Sequence, residues 1–110
     1  MKLLTLTMTL ISALMLPLSA SAATPEFTIA IQDHRFDPAE VVVPAGKKVK
    51  LVIDNRDATP EEFESHDLKR EKVIAGKTKA TIWVGPLRPG KYRFFGEFHG
   101  ATAQGLLIAK

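Results

Sequence analysis

The chain has 110 residues, with 15 basic and 12 acidic side chains for a formal net charge of +3, and no cysteine. So small a charge, scattered rather than interleaved with aromatics, excludes a nucleic-acid binder of the electrostatic kind, and the missing thiols exclude disulfides, thiolate metal ligands and cysteine nucleophiles. The length leaves room for one domain and not two.

Residues 1–22 read as a secretory signal peptide. Lys2 gives a short basic start, residues 3–18 are uncharged and largely apolar, and Ser19-Ala20-Ser21-Ala22 supplies small residues at an Ala-x-Ala cleavage site. The apolar run falls short of the roughly 18 to 20 residues of a spanning helix, so cleavage after Ala22, a periplasmic location and no stable membrane insertion are expected. The remaining domain, residues 23–110, carries 14 basic and 12 acidic side chains. At this size and without disulfides it depends on an apolar core, to which a bound metal would add.

Within the domain, Phe27, Ile29 and Ile31 alternate with polar neighbours, the pattern of a half-buried strand. Val41-Val42-Val43 ends at the turn signal Pro44-Ala45-Gly46, after which Val49, Leu51 and Ile53 alternate with Lys48, Lys50 and Asp54 up to Asn55, which suggests a hairpin-like pair. Glu61, Glu62, Glu64, Asp67 and Glu71 then crowd into eleven residues of a basic protein, the local asymmetry a cation site produces. Only residues 66–70 could form a helical turn. Residues 78–84 give a strand with Ala80, Ile82 and Val84 on one face and Trp83 on the other, and residues 91–95 and 105–109 give two more. Trp83, Phe94 and Phe95 read as core or its rim.

Seven or eight short strands, punctuated by Pro38, Gly46, Pro60, Gly76, Pro86 and Pro89-Gly90, predict an all-β Greek-key sandwich. Leu87-x-Pro89-Gly90-x-Tyr92 resembles a tyrosine corner, in which a Tyr hydroxyl bonds back to the turn. Ser65, His66 and Asp67 have the residue types of a hydrolytic triad, but they adjoin in sequence, and such a triad is assembled through space.

The last quarter of the chain, Pro89-Gly90-Lys91-Tyr92-Arg93-Phe94-Phe95-Gly96-Glu97-Phe98-His99 with Gln104-Gly105, resembles the copper-binding end of a cupredoxin. Phe36-Asp37-Pro38, the strand ending Pro44-Ala45-Gly46 and the strand closing on Asn55 extend the resemblance over nearly all of residues 23–110. The cupredoxin pattern implies a first histidine just after Pro60, a thiolate four residues after Tyr92, a histidine seven after it and an axial methionine. This chain has Glu61, Gly96, His99 and Gln104 at those places. Only the histidine survives.

Each replacement moves the site from soft sulfur toward hard oxygen and imidazole donors, which suit Fe(II), Mn(II), Zn(II) or Cu(II) and cannot make a blue-copper centre. Gly96 also leaves room that a carboxylate from a neighbouring strand could occupy. Glu62-Phe63-Glu64-Ser65 with Glu71-Lys72, and the Gly96-Glu97-Phe98-His99 ending, look like the EfeO-type cupredoxin-like proteins. That resemblance implies a protein that carries an iron or copper ion to a periplasmic iron-binding protein or an inner-membrane permease of a ferrous-iron uptake system. A metal-dependent oxidase assisting Fe(II) oxidation and a metal-free interaction module are the alternatives.

The candidate metal ligands are His99, Glu97, Glu62, Glu61 and His34. Glu97 and His99, two apart at a strand end, can face the same way. Counting from Asn55 nominates Glu61, and burying Phe63 turns Glu61 inward, where an unpaired carboxylate is costly and calls for a cation. The Glu-Phe-Glu resemblance favours Glu62 instead, so both stand. His34 lies in a loop that the cupredoxin frame puts at the metal end, either as a ligand or as a turn residue. His66 reads as exposed.

Overall fold

Alternation is what divides each strand into an inner and an outer face, and it is plainest in β4 (Val49–Asn55), whose odd-numbered residues are all buried and even-numbered ones half-buried. The computed structural model describes residues 2–17 and 23–110, of which residues 2–17 form neither helix nor strand. The expected cleavage positions at Ser19 to Ala22 lie outside the described residues. Among those described, no helix is long and apolar enough to cross a membrane.

Among the described residues the other strands are β1 (Glu26–Gln32), β2 (Arg35–Asp37), β3 (Glu40–Val43), β5 (Glu61–Ser65), β6 (Arg70–Ile74), β7 (Lys79–Val84), β8 (Gly90–Gly96) and β9 (Gln104–Ala109), with a 3-10 turn at Glu97–His99. They form a four-stranded sheet, β2-β1-β4-β7, and a five-stranded sheet, β3-β9-β8-β5-β6. This is the all-β sandwich that the spacing of strands and turn residues calls for.

The core lies between the sheets. Ile29, Ile31, Leu51, Ile53, Ile82 and Val84 from one layer meet Val41, Val43, Phe63, Phe94 and Leu107 from the other, all buried. Phe63 and Phe94 stack with centroids 5.0 Å apart, and Phe36 meets both edge-on. Burying a Phe contributes about 1.5–3 kcal/mol, so this trio is a large share of what holds so small a domain together. Gly105 is part of the fit, since a Cβ there would come within 2.1 Å of the Phe94 ring.

Three local expectations are met or revised. Tyr92 donates its hydroxyl proton to the Arg88 carbonyl at 2.8 Å, closing the tyrosine corner. Trp83 lies on the outer surface, 43% exposed, under the Lys48 and Lys50 ammonium groups. Residues 66–69 make a turn, but Lys69 takes φ 54° and Arg70 begins β6, so no helix follows.

The expected hairpin between β3 and β4 does not form. β3 pairs in parallel with β9, and β4 pairs in parallel with β1 and antiparallel with β7. Residues 44–48 cross between the sheets, with Ala45 donating to the Lys110 carbonyl and Gly46, at φ 73°, donating to the Leu87 carbonyl. Two adjacent apolar strands each need a facing layer, and the crossing places one in each sheet. Sequence alternation is the same in either arrangement.

Candidate metal centre

Asn55, at the end of β4 and fully buried, organises the loop that leads to the site. Its amide donates to the carbonyls of Thr59 (2.9 Å), Ile74 (3.1 Å) and Ala75 (3.3 Å), and its oxygen accepts from the Asp57 N–H at 3.1 Å. The chain emerging from this loop starts β5 with Glu61 in phase with Phe63, and both point inward. The alternation that buries the phenyl ring therefore buries the carboxylate, leaving it 1% exposed.

Glu61 is not unpaired there. Oε1 accepts the backbone N–H groups of Glu62 (3.0 Å) and Phe98 (2.9 Å), and Oε2 lies 2.6 Å from His99 Nδ1. At that distance a single proton is shared between Oε2 and Nδ1, which ties the imidazole to the carboxylate. Gly96 makes this possible: a Cβ on it would sit 2.6 Å from Glu61 Cδ, 2.8 Å from Oε2 and 2.6 Å from the Ala103 Cβ. The carboxylate of the neighbouring strand fills the space beside the glycine.

His34 completes the group. Its ring stacks on that of His99, centroids 3.6 Å apart and planes 11° from parallel. Asp57 holds the turn beneath it, accepting the N–H groups of Asp33 (2.8 Å) and His34 (3.0 Å). Burial pushes the Asp57 carboxyl up, but those two bonds and the charges of His34 and Lys77 outweigh it and hold the group below its ordinary value. Thr102 donates its hydroxyl to the His34 carbonyl at 2.6 Å, and Thr59 Oγ1 lies 3.4 Å from His34 Nε2.

The five nominated ligands thus divide. His34, Glu61 and His99 come together at one end of the sandwich, whereas Glu62 and Glu97 belong to the outer face of the five-stranded sheet with Glu64 and Glu71. Glu64 stands directly opposite Glu71. Glu62, 9% exposed, is pushed up to about 7, first by a hydrogen bond shared with Glu71, then by burial and by the charges of Glu71, Glu64 and Glu97. Glu64 is raised too, by burial first and then by Glu97 and Glu71. The shared orientation expected of Glu97 and His99 is not found, because residues 97–99 coil into a 3-10 turn, in which positions two apart point about 120° from one another.

The remaining polar residues are committed elsewhere. Ser65 donates to the Arg93 carbonyl (2.6 Å) and accepts from the Leu68 N–H, and Asp67 accepts from the Arg93 N–H, so neither is placed for hydrolysis. His66 is exposed beside Phe95. Gln104 donates to the Gly100 carbonyl. Asp57, Thr59 and Thr102 were not legible as site residues; Asp57 follows Asn55 by two positions, but nothing in the sequence ties it to residue 34.

A blue-copper centre does not fit this pocket, which has no sulfur donor and whose thiolate space is taken by Glu61. The donor types of Glu61, His99 and His34 do fit a harder divalent cation. Their arrangement is short of a closed ligand set: among the described residues no three His, Asp or Glu groups are disposed to hold one ion.

Residues 4–109 match the family model described as cupredoxin-like domain. The chain belongs to that family. It is 52% identical over 83 residues to the uncharacterized protein RP394 of Rickettsia prowazekii (strain Madrid E), a match covering 76% of this chain and 66% of that protein, so the chain spans about two thirds of its relative's length. Among solved structures it is similar to auracyanin A, a blue copper protein of Chloroflexus aurantiacus (TM-score 0.68, 15% identity, 80% of this chain and 100% of that one). It is also similar to the metal-binding domain of the Cu(I)-exporting P-type ATPase CopA of Streptococcus pneumoniae (TM-score 0.66, 13% identity, 77% and 84%). At these identities the likeness is one of fold.

Proposed function

We propose that this protein is an exported, periplasmic metal-binding cupredoxin-like protein that holds an iron or copper ion in the divalent state through Glu61, His99 and His34. It delivers the ion within a ferrous-iron uptake system, to a periplasmic iron-binding protein or an inner-membrane permease, and does not work as a blue-copper electron carrier. The observation that carries the reading is the 2.6 Å approach of Glu61 Oε2 to His99 Nδ1 over Gly96, an oxygen and a nitrogen donor brought together where the cupredoxin pattern implies a metal. The likeness of the fold to that of copper-binding proteins and the leader-like residues 1–22 support the cargo and the location.

A divalent ion bound here would be held by the Glu61 carboxylate, which supplies charge, and by ring nitrogens of His99 and His34. Protons compete with a metal for carboxylate and imidazole donors, so binding would weaken as pH falls. The ion itself would supply Lewis acidity and stabilise the domain.

The test is calorimetry of the purified protein with Fe(II) under anaerobic conditions, Cu(II) and Zn(II). Stoichiometric binding that is lost in Glu61→Gln and His99→Ala but kept in Glu97→Gln supports the assignment; failure of all three ions to bind tighter than a millimolar threshold overturns it. One observation favours a second reading, a metal-free interaction module: among the described residues every buried side-chain polar atom already has a hydrogen-bond partner, so the pocket is closed without an ion. Catalytic appearance of Fe(III) beyond one equivalent under air would instead mark an oxidase.

A further inference from the structure

Only two residues, Asp33 and His34, separate the paired residues Gln32 and Arg35 at the end of the β1–β2 hairpin, and both have positive φ, 52° and 57°. Turns of this handedness favour glycine, because a Cβ is crowded there. Neither residue is one. A histidine kept in a strained backbone persists only where its surroundings over-determine it, and such residues gather at functional sites.

The surroundings do over-determine it. The two Asp57 carboxylate oxygens take the two N–H groups of the turn, one each, and Thr102 takes the His34 carbonyl. Asp57 is fixed in turn, its N–H donating to Asn55 Oδ1 at 3.1 Å and its carbonyl accepting from the Lys77 N–H at 2.9 Å. The loop carrying it packs against Gly76, where a Cβ would strike the Ala58 carbonyl. A rigid bracket thus reaches from the four-stranded sheet to one side chain, and the outcome is the 3.6 Å stack of His34 on His99.

We infer that Asp57 is a positioning residue, whose carboxylate holds the strained Asp33-His34 turn so that the His34 ring is kept over His99. On the metal-site reading, which this inference deepens, Asp57 sets where the third donor waits. If the bracket served only to close a hairpin, glycine in the turn would make it dispensable.

The experiment follows the ring protons of His34 and His99 by NMR in metal-free protein, alongside Co(II) and Zn(II) affinity, for Asp57→Ala and for Asp57→Ala combined with Asp33→Gly. Asp57→Ala should abolish the mutual ring-current shifts and weaken both metals about 10- to 100-fold, as for other residues that orient ligands. Adding Asp33→Gly should restore the melting temperature while restoring neither the shifts nor the affinity. Retention of the shifts in Asp57→Ala, or their return in the double variant, overturns the inference. Wild-type protein that binds neither metal but loses its ring-current shifts in Asp57→Ala supports the positioning role and sinks the metal-site reading alone.

Discussion

Gly96→Ala tests the packing on which the pocket depends. The added methyl would lie 2.6 Å from Glu61 Cδ, 2.8 Å from Oε2 and 2.6 Å from the Ala103 Cβ. None of these gives way easily: Ala103 is fully buried on the opposite wall, and Glu61 is tied by three hydrogen bonds. Overpacking of this kind costs about 1–3 kcal/mol, and weakening a hydrogen bond to a charged group costs about 1.5–3 kcal/mol. The expected loss is about 3–5 kcal/mol, a large part of the roughly 5–15 kcal/mol available to a whole domain. Thermal and urea unfolding would measure it, with a fall in melting temperature of at least about 12 °C. In Glu61→Ala the methyl loses two of its three nearest clashes, so the same change should cost about 1–3 kcal/mol less there, a coupling read from the double-mutant cycle. A loss below about 1 kcal/mol for Gly96→Ala with additive effects would refute the account of Glu61 as the group filling the thiolate's space.

Further outcomes follow from other parts of the molecule. Glu62 has a folded value of about 7 against an ordinary 4.5, so its contribution is fully present below pH 4.5 and lost as pH rises through about 7; the metal-free protein should melt higher at about pH 5.5 than at 7.5, and Glu71→Gln should flatten that slope. A wild-type profile flat over this window counts against the carboxyl cluster. Asn55→Ala removes three donated bonds at a fully buried site and should cost about 2–4 kcal/mol in urea unfolding, with displaced amide resonances across residues 56–61; a change under 1 kcal/mol would show that the loop is held otherwise. Tyr92→Phe should cost only about 0.5–1.5 kcal/mol, because the corner supplies one neutral hydrogen bond.

Much of the domain was legible from local pattern. The period-two burial of β4, the turn residues and the tyrosine corner are each set by neighbours in sequence, and they suffice for a sandwich. The inward turn of Glu61 was legible as well, since a two-residue repeat joins it to Phe63. What pairs with that carboxylate was not, because its partners at Phe98 and His99 lie more than thirty residues away. The expected cation requirement is answered in the structure by an imidazole and two peptide N–H groups.

Glu97 shows the limit from the other side. An i, i+2 argument holds only while the strand lasts, and β8 ends at Gly96, so the chain coils and turns Glu97 toward the outer face. The hairpin assigned to β3 and β4 failed for a related reason, since alternation reports that a strand has a buried face but not which sheet supplies its neighbours.

The sequence by itself determined the donors on offer, oxygen and imidazole without sulfur, and the parity of each strand, because both are properties of single residues and of a repeat of two. Only the tertiary structure decided which donors meet. Glu61, His99 and His34 converge because three loops close one end of the sandwich, while Glu62 and Glu97 are carried to the outer face by β5 and a 3-10 turn. Such convergence is fixed by long-range pairing between sheets, and local sequence carries no record of it.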